Sequence, residues 1–247
     1  MMAAERGIVL DLETTGLDPA VDSIIEIGLV EFVLTDKLPL ITNIYGALEE
    51  PKQPLSVEIA SLTGLSNEVL VGQKIDWQLV KSLLEGASII IAHNADFDSR
   101  FLMRRPELVD VSLHWGCSAR HIDWDAKGFK SRKLTYLAAD HGFVNPFPHR
   151  AVFDCATTFK LIAPHINELA SNSFQKDYRV IAVNAPFDVK DLLKSRGYFW
   201  DGSQRVWIRN LLGNRLAEER KFLSEQIYRG IPDQHIEQEL APLGSTQ

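Results

Sequence analysis

The sequence predicts an α/β protein: a mixed sheet flanked by helices, followed by a small α+β module. Three observations predict it. Strand-like runs with short connections crowd the first fifty residues. Helical and strand periods then alternate to about residue 165. Near 170–176 (ASNSFQK) the chain turns polar before an aromatic, basic stretch. Strands first, then helix alternating with strand, lay helices against a sheet.

Residues 7–11 (GIVLD) read as a short buried strand, 24–34 (IIEIGLVEFVL) as a second and 39–48 (PLITNIYGAL) as a third. Pro39 stands at the start of the third, where no ladder donor is needed. The short spacing favours antiparallel neighbours. A helix fits 75–86, closed by Gly86, and the β-run SIIIA follows at 88–92. Phe97, Phe101 and Leu102 then fall on one helical face. That helix is expected to carry Arg104 and Arg105 in its last turn and to stop at Pro106. Further helices fit 132–141, ended by Gly142, and 150–163, ended by Pro164. The polar stretch divides the chain into residues 1–172 and 173–247. In the second part, LLKSRGYFWDGSQRVWIR reads as a helix, an Asp-Gly turn and a β-hairpin. The final IPDQHIEQELAPLGSTQ reads as a short helix or a loose tail.

With 247 residues, 45% of them hydrophobic, the chain can bury a sizeable core. No apolar run reaches membrane-spanning length, and MMAAERG has no hydrophobic signal region. Cys117 and Cys155 are too few for a disulfide framework. These features predict reduced thiols in a cytoplasmic protein with no membrane partner. The net charge of −7 argues against a broad electrostatic grip on nucleic acid. The charge is uneven, however: residues 176–213 carry +3 and residues 1–175 carry −8.

Chemistry concentrates in three separated segments. Asp11 and Glu13 lie in IVLDLETTGLD, Asp98 in IIIAHNADFD, and His149 and Asp154 in PHRAVFDCAT. Each lies at the end of a strand or the start of a helix. Asp11 and Glu13, two apart on a strand, face the same side. Such a pair binds hard cations through oxygen. Thr14, Thr15 and Gly16 turn the chain, and Leu17 protrudes where a phosphate and a base could meet it. His93 and Asn94 end a strand, a place where functional residues concentrate. Taken singly, each acid suits a helix start and His149 suits a solvated loop. Together, carboxylates gathered in one cleft repel one another unless cations hold them, which points to a divalent-metal site beside a histidine. His114, Cys117 and His121 lack a second ligand pair and read as packing and surface residues rather than a zinc site.

In the order DLETTG, HNADFD, HRAVFD, the segments resemble the three blocks of the DEDDh 3′–5′ exonucleases. That family has a ribonuclease H-like fold and includes the proofreading epsilon subunit of bacterial DNA polymerase III. The resemblance covers about residues 7–165, and HRAVFDCATT carries the pattern H-x-A-x-x-D-x-A-x-T. It implies that Asp11, Glu13, Asp98 and Asp154 hold two Mg²⁺ or Mn²⁺ ions, with Asp11 bridging, and that His149 is the general base. It also implies that Thr14 and Leu17 contact the terminal nucleotide; Asn94 and Phe97 complete the substrate-binding set. The implied substrate is a single-stranded 3′ end, DNA favoured, yielding nucleoside 5′-monophosphates. The alternatives are an RNA exonuclease of the oligoribonuclease or tRNA-end-trimming type, and a non-catalytic nucleic-acid-binding protein. The last predicts a lost catalytic residue, and none is missing. The chain departs from many proofreading relatives at Thr63-Gly64-Leu65, where they carry His-Gly-Ile.

Beyond the resemblance, Tyr198, Phe199, Trp200 and Trp207 alternate with Lys190, Lys194, Arg196, Arg205 and Arg209. That pattern suits stacking and phosphate pairing on single-stranded nucleic acid. It equally suits an aromatic core with solvated cations. Docking of a protein partner through this module is a third reading.

Overall fold

Aliphatic and β-branched runs build three long strands at once: β1 (Arg6–Thr14), β2 (Ile24–Val33) and β3 (Leu40–Leu48). The computed structural model describes residues 5–245. It divides into two compact units, Met1–Ser173 with Leu243–Gln247, and Phe174–Pro242.

In the first unit the strands are followed by helices α1 (Val57–Thr63), α2 (Asn67–Leu70) and α3 (Trp77–Leu84), strand β4 (Ile89–Ala92) and helix α4 (Ala95–Leu102). Strand β5 (Trp115–Cys117) and helices α5 (Leu134–Asp140), α6 (Ala151–Ile162) and α7 (Ile166–Asn172) complete it. The sheet order is β3-β2-β1-β4-β5. The first three strands pair antiparallel, as their short connections require, and β1, β4 and β5 run parallel. Ile8, Leu10 and Leu12 point to one face, packed with Trp77, Val80 and Leu84 of α3 and Phe101 and Leu102 of α4. Val9 points to the other, packed with Leu137, Cys155, Leu161, Ile162 and Leu169 of α5–α7. By strand alternation Asp11 and Glu13 share the α6 face.

In this unit one local expectation is corrected, and further elements had no counterpart in the sequence reading. The helix after β4 ends at Leu102, so Arg104 and Arg105 lie beyond it. Arg105 instead pairs with Glu49 and Glu107 and lies over the Trp77 ring. Helices α1 and α2 stood unassigned in the sequence, although Ser56 and Ser66 cap them and Gly64 closes the first in the left-handed region. Strand β5 has three residues, too few to show a period.

In the second unit, β6 (Asp177–Ala182), α8 (Lys190–Ser195), β7 (Phe199–Asp201), β8 (Val206–Leu212), α9 (Leu216–Phe222) and β9 (His235–Glu239) form an antiparallel sheet of order β7-β8-β6-β9 with helices. The helix, Asp-Gly turn and hairpin are present. The tail at 235–239 is neither helix nor loose: it pairs with β6 along five residues. The aromatics divide. Tyr198 and Trp207 are core residues, whereas Phe199 and Trp200 are half exposed. Arg196 and Arg209 both pair with the buried Glu219, so two of the five cations are committed to the fold.

Candidate active site

Strand β1 delivers Asp11 and Glu13 to the α6 face, and the β1–β2 register slips immediately afterwards, between Glu13 and Thr14. Such a bulge re-aims the chain and ends the regular pairing. The following loop is held by Asp22, whose carboxylate accepts from Thr15 Oγ1 (3.0 Å) and the Asp18 N–H (2.9 Å). A Cβ at Gly16 would sit 2.4 Å from that carboxylate, so a larger residue there would push Asp22 off these two bonds. Leu17 is thereby held outward, 80% exposed.

Asp154 reaches the strand because α6 lies flush on the sheet. Gly28, the β2 partner of Asp11, faces the first turn of α6, and a Cβ there would stand 2.4 Å from the Ala151 carbonyl carbon. One oxygen of Asp154 accepts from Asn145 Nδ2 (2.9 Å) and the other from the Arg150 N–H (3.2 Å). Oxygens of Asp11, Glu13 and Asp154 lie within 4.8 Å of one another. Asp98 is not part of this closest trio. It arrives from α4, just beyond the end of β4, and its Oδ1 accepts the Leu12 N–H at 3.1 Å. His149 stands two residues before the first residue of α6, with φ of 61°.

All of these residues line one cleft of about 820 Å³, together with Thr14, Leu17, Asn94 and Phe97. Every site residue expected from the sequence therefore opens on the same space. Two details differ. Asn94 stands at the N-cap of α4 with φ of 68°, but its side chain caps nothing. The Thr14 hydroxyl is already spent on the Gly16 carbonyl (2.5 Å). Asn94 and His149 are the two cleft-lining non-glycine residues with left-handed backbone. Such conformations cost roughly 1–2 kcal/mol and collect at functional sites.

Sequence reasoning missed several cleft residues. Ile59, Leu62 and Thr63 come from α1, and Arg132, Lys133, Leu134 and Thr135 from the start of α5. Thr63, at the departure from the usual His-Gly-Ile, turns inward: its hydroxyl donates to the Ile59 carbonyl (2.9 Å) and accepts from the Leu65 N–H (3.2 Å). Glu26 and Arg150 were also missed. Glu26 stands opposite Glu13 in the register, is 5% exposed, and accepts Arg150 Nε at 3.0 Å and Nη2 at 3.2 Å. The Glu at the fourth position of SIIEIG and the Arg of HRA were the available signals. This pair binds β2 to the start of α6 and so fixes His149 and Asp154 relative to Glu13.

The electrostatics call for cations. Burial, then Asp98, Glu13 and Asp154 in that order, hold the Asp11 carboxyl well above the usual carboxylate range. Glu13 is pushed up to about 8, by burial first and then by Asp154 and Glu26. Burial likewise raises Asp98 to about 8, against the pull of the Leu12 N–H, and raises Asp154. A cluster of hard oxygen donors that resists ionisation until a cation arrives fits a divalent metal. Among the described residues this trio is the only such ligand group, and His121 Nδ1 is occupied by the Cys117 N–H at 3.0 Å.

A pH dependence follows. Folded Glu13 and Asp98 keep their protons to about pH 8, whereas an unfolded chain releases them near pH 4. This contribution to stability is whole below the unfolded value and is lost as pH rises through the folded one. The thermal midpoint of EDTA-treated protein should fall between about pH 5 and pH 8.5, and Mn²⁺ should raise it most at the alkaline end. A flat profile would contradict the charge arrangement. Arg150→Met should raise the Mn²⁺ concentration for half-maximal metal binding about 10–100-fold, the usual cost of losing a group that orients ligands. Calorimetric titration checks it.

The Exonuclease family model, RNase_T, matches residues 8–162. PolC-type DNA polymerase III of Thermotoga maritima is 41% identical over 155 residues, covering 60% of this chain and 11% of that protein. The Bacillus subtilis PolC-type enzyme is 29% identical over 186 residues, covering 71% and 12%. The chain thus spans little more than a tenth of the length of these relatives. Among solved structures, Exonuclease X in complex with 5′ overhanging duplex DNA superposes with a TM-score of 0.51 at 22% identity, over 68% of this chain and 99% of that one. A 3′-exonuclease recognising a histone mRNA stem-loop gives 0.53 at 17% identity, over 70% and 67%. These likenesses establish the ribonuclease H-like fold. No helix among the described residues is long and apolar enough to cross a membrane. With its acidic cluster inside the matched span, the chain belongs to the RNase_T exonuclease family and uses a divalent metal.

Proposed function

We propose that this protein is a metal-dependent 3′–5′ exonuclease that removes nucleoside 5′-monophosphates from single-stranded 3′ ends, with DNA as the preferred substrate. The observation that carries the reading is the meeting of Asp11, Glu13, Asp98, Asp154 and His149 on one open cleft. The PolC-type DNA polymerase relatives favour DNA and a proofreading or repair setting.

Asp11, Glu13, Asp98 and Asp154 would hold two Mg²⁺ or Mn²⁺ ions. When bound, these supply charge stabilisation and a more acidic attacking water. His149 accepts the proton of the water that attacks the phosphorus, while the bond from phosphorus to the upstream O3′ breaks. Its left-handed backbone and its place among the cleft-lining residues with Asp154 support this role. Leu17 and Phe97 offer apolar surface to the terminal base, and Asn94 offers an amide not used as a cap. The exposed Phe199 and Trp200 support a further contact of the second unit with single-stranded nucleic acid, while Phe187 offers a partner protein an apolar surface.

Matched 5′-labelled DNA and RNA oligonucleotides, digested in parallel with Mg²⁺ or Mn²⁺, test the reading. Ladders shortening from the 3′ end, faster for DNA, are expected. Faster RNA digestion would reverse the substrate preference, and no shortening of either would overturn the assignment.

A further inference from the structure

The cleft that holds the carboxylates has an apolar part, formed by Leu17, Ile59, Leu62 and Phe97, and a basic part. Among the described residues its lysine and arginine lining is Arg132 and Lys133, from the segment Lys130-Ser131-Arg132-Lys133. The apolar part suits a base. A strand entering the cleft also brings phosphates, and four carboxylates repel them. Cations held by those carboxylates can serve the scissile phosphate, but the phosphates upstream of it need fixed positive charge elsewhere.

The basic segment is built into the site. His93 directly follows β4 and precedes Asn94. Its Nε2–H donates to the Arg132 carbonyl (2.8 Å), while Ser118 Oγ donates to its Nδ1 (2.7 Å). Burial pushes the His93 pKa down to about 4, so the ring is neutral and can play both parts. The backbone that carries Arg132 and Lys133 is thereby tied to the strand end that leads through Asn94 into α4, the helix carrying Asp98. Asp125 offsets Arg132 at 2.5 Å. Lys133 is exposed, and among the described residues no acid pairs with it.

We propose that Arg132 and Lys133 form a phosphate subsite for the strand immediately upstream of the scissile bond, with Lys133 as its principal charge. The subsite rests on the exonuclease reading for its occupant, a single-stranded phosphodiester chain. It sets the path of that chain: the terminal base against the apolar lining, the upstream backbone over the start of α5. It also accounts for strand binding by a strongly acidic unit, because the positive charge is local to the cleft.

The test compares wild type with Lys133→Ala, Lys133→Arg and Arg132→Gln. Binding of a fluorescent single-stranded oligodeoxynucleotide is measured by anisotropy with Ca²⁺ in place of the catalytic metal, across a range of salt. Lys133→Ala should weaken binding and lower the log–log salt slope by about 0.7, one single-strand phosphate contact. Lys133→Arg should restore both. A second readout compares kcat/KM for the oligonucleotide with that for the p-nitrophenyl ester of thymidine 5′-monophosphate, which has no upstream phosphate. The ratio should fall about tenfold in Lys133→Ala, as loss of a charge-assisted hydrogen bond implies. An unchanged salt slope, or an equal fall on both substrates, would overturn the subsite. Wild type that hydrolyses neither substrate would refute the exonuclease reading instead, and the salt slope would still decide the subsite.

Discussion

Asp11→Asn should reduce oligonucleotide digestion more than about 10³-fold, beyond the 10²–10³-fold typical of deleting one preorganised electrostatic contact. Asparagine keeps the shape and loses the charge. Of the clustered acids, Asp11 is the one whose proton affinity is raised by Asp98, Glu13 and Asp154 together, so it sits where their fields overlap. Removing its charge relieves that repulsion. The metal-free variant should therefore melt higher than metal-free wild type at about pH 8, while its gain in melting temperature on adding Mn²⁺ should largely vanish. EDTA should silence wild type, and Mn²⁺ should restore it. Digestion by Asp11→Asn at more than a tenth of the wild-type rate would remove Asp11 from the metal site. A lower metal-free melting temperature would show that its burial, not its charge, dominates locally.

His149→Ala should lower kcat by about 10²–10⁴-fold, the usual worth of a positioned general base, with little change in oligonucleotide affinity. His149→Gly sharpens the test. Both variants lack the imidazole, but glycine adopts the left-handed backbone at this position freely, whereas alanine does not. The two should be equally slow, yet the glycine variant should melt higher than the alanine variant. A difference in rate between them would mean that loop geometry rather than proton transfer governs the step. Wild-type rates in both would exclude His149 from the chemistry.

The acids and histidine were legible because each segment carries its own local signal. A strand alternates faces, so Asp11 and Glu13 must point together, and strand or helix ends project side chains into clefts. The long strands and α6 were legible through period and flanking Gly or Pro. The supports were not. Glu26 reads as one polar residue in an apolar strand, and nothing nearby in sequence announces Arg150, 124 residues away. His93 looks like a loop histidine until Ser118 and Arg132 fold around it. Thr63 shows why the loop at 63–65 was opaque: its hydroxyl is absorbed by its own turn rather than offered to the cleft. The tail at 235–239 lacks apolar alternation because it is an edge strand, stabilised by its ladder to β6.

The grouping of residues after Pro242 with the first unit has a practical corollary for protein engineering. Leu243 packs with the cluster around Trp115, and Gly244 lies close against the indole of Trp115. The intervening segment is thus a loop-out, entered at 174 and left at 242, rather than an appendage. A stop codon at 174 would strip a staple from the catalytic half as well as removing the aromatic module. Splicing Ser173 to Leu243 through a short Gly/Ser bridge would spare the staple and let the module's own contribution be read cleanly.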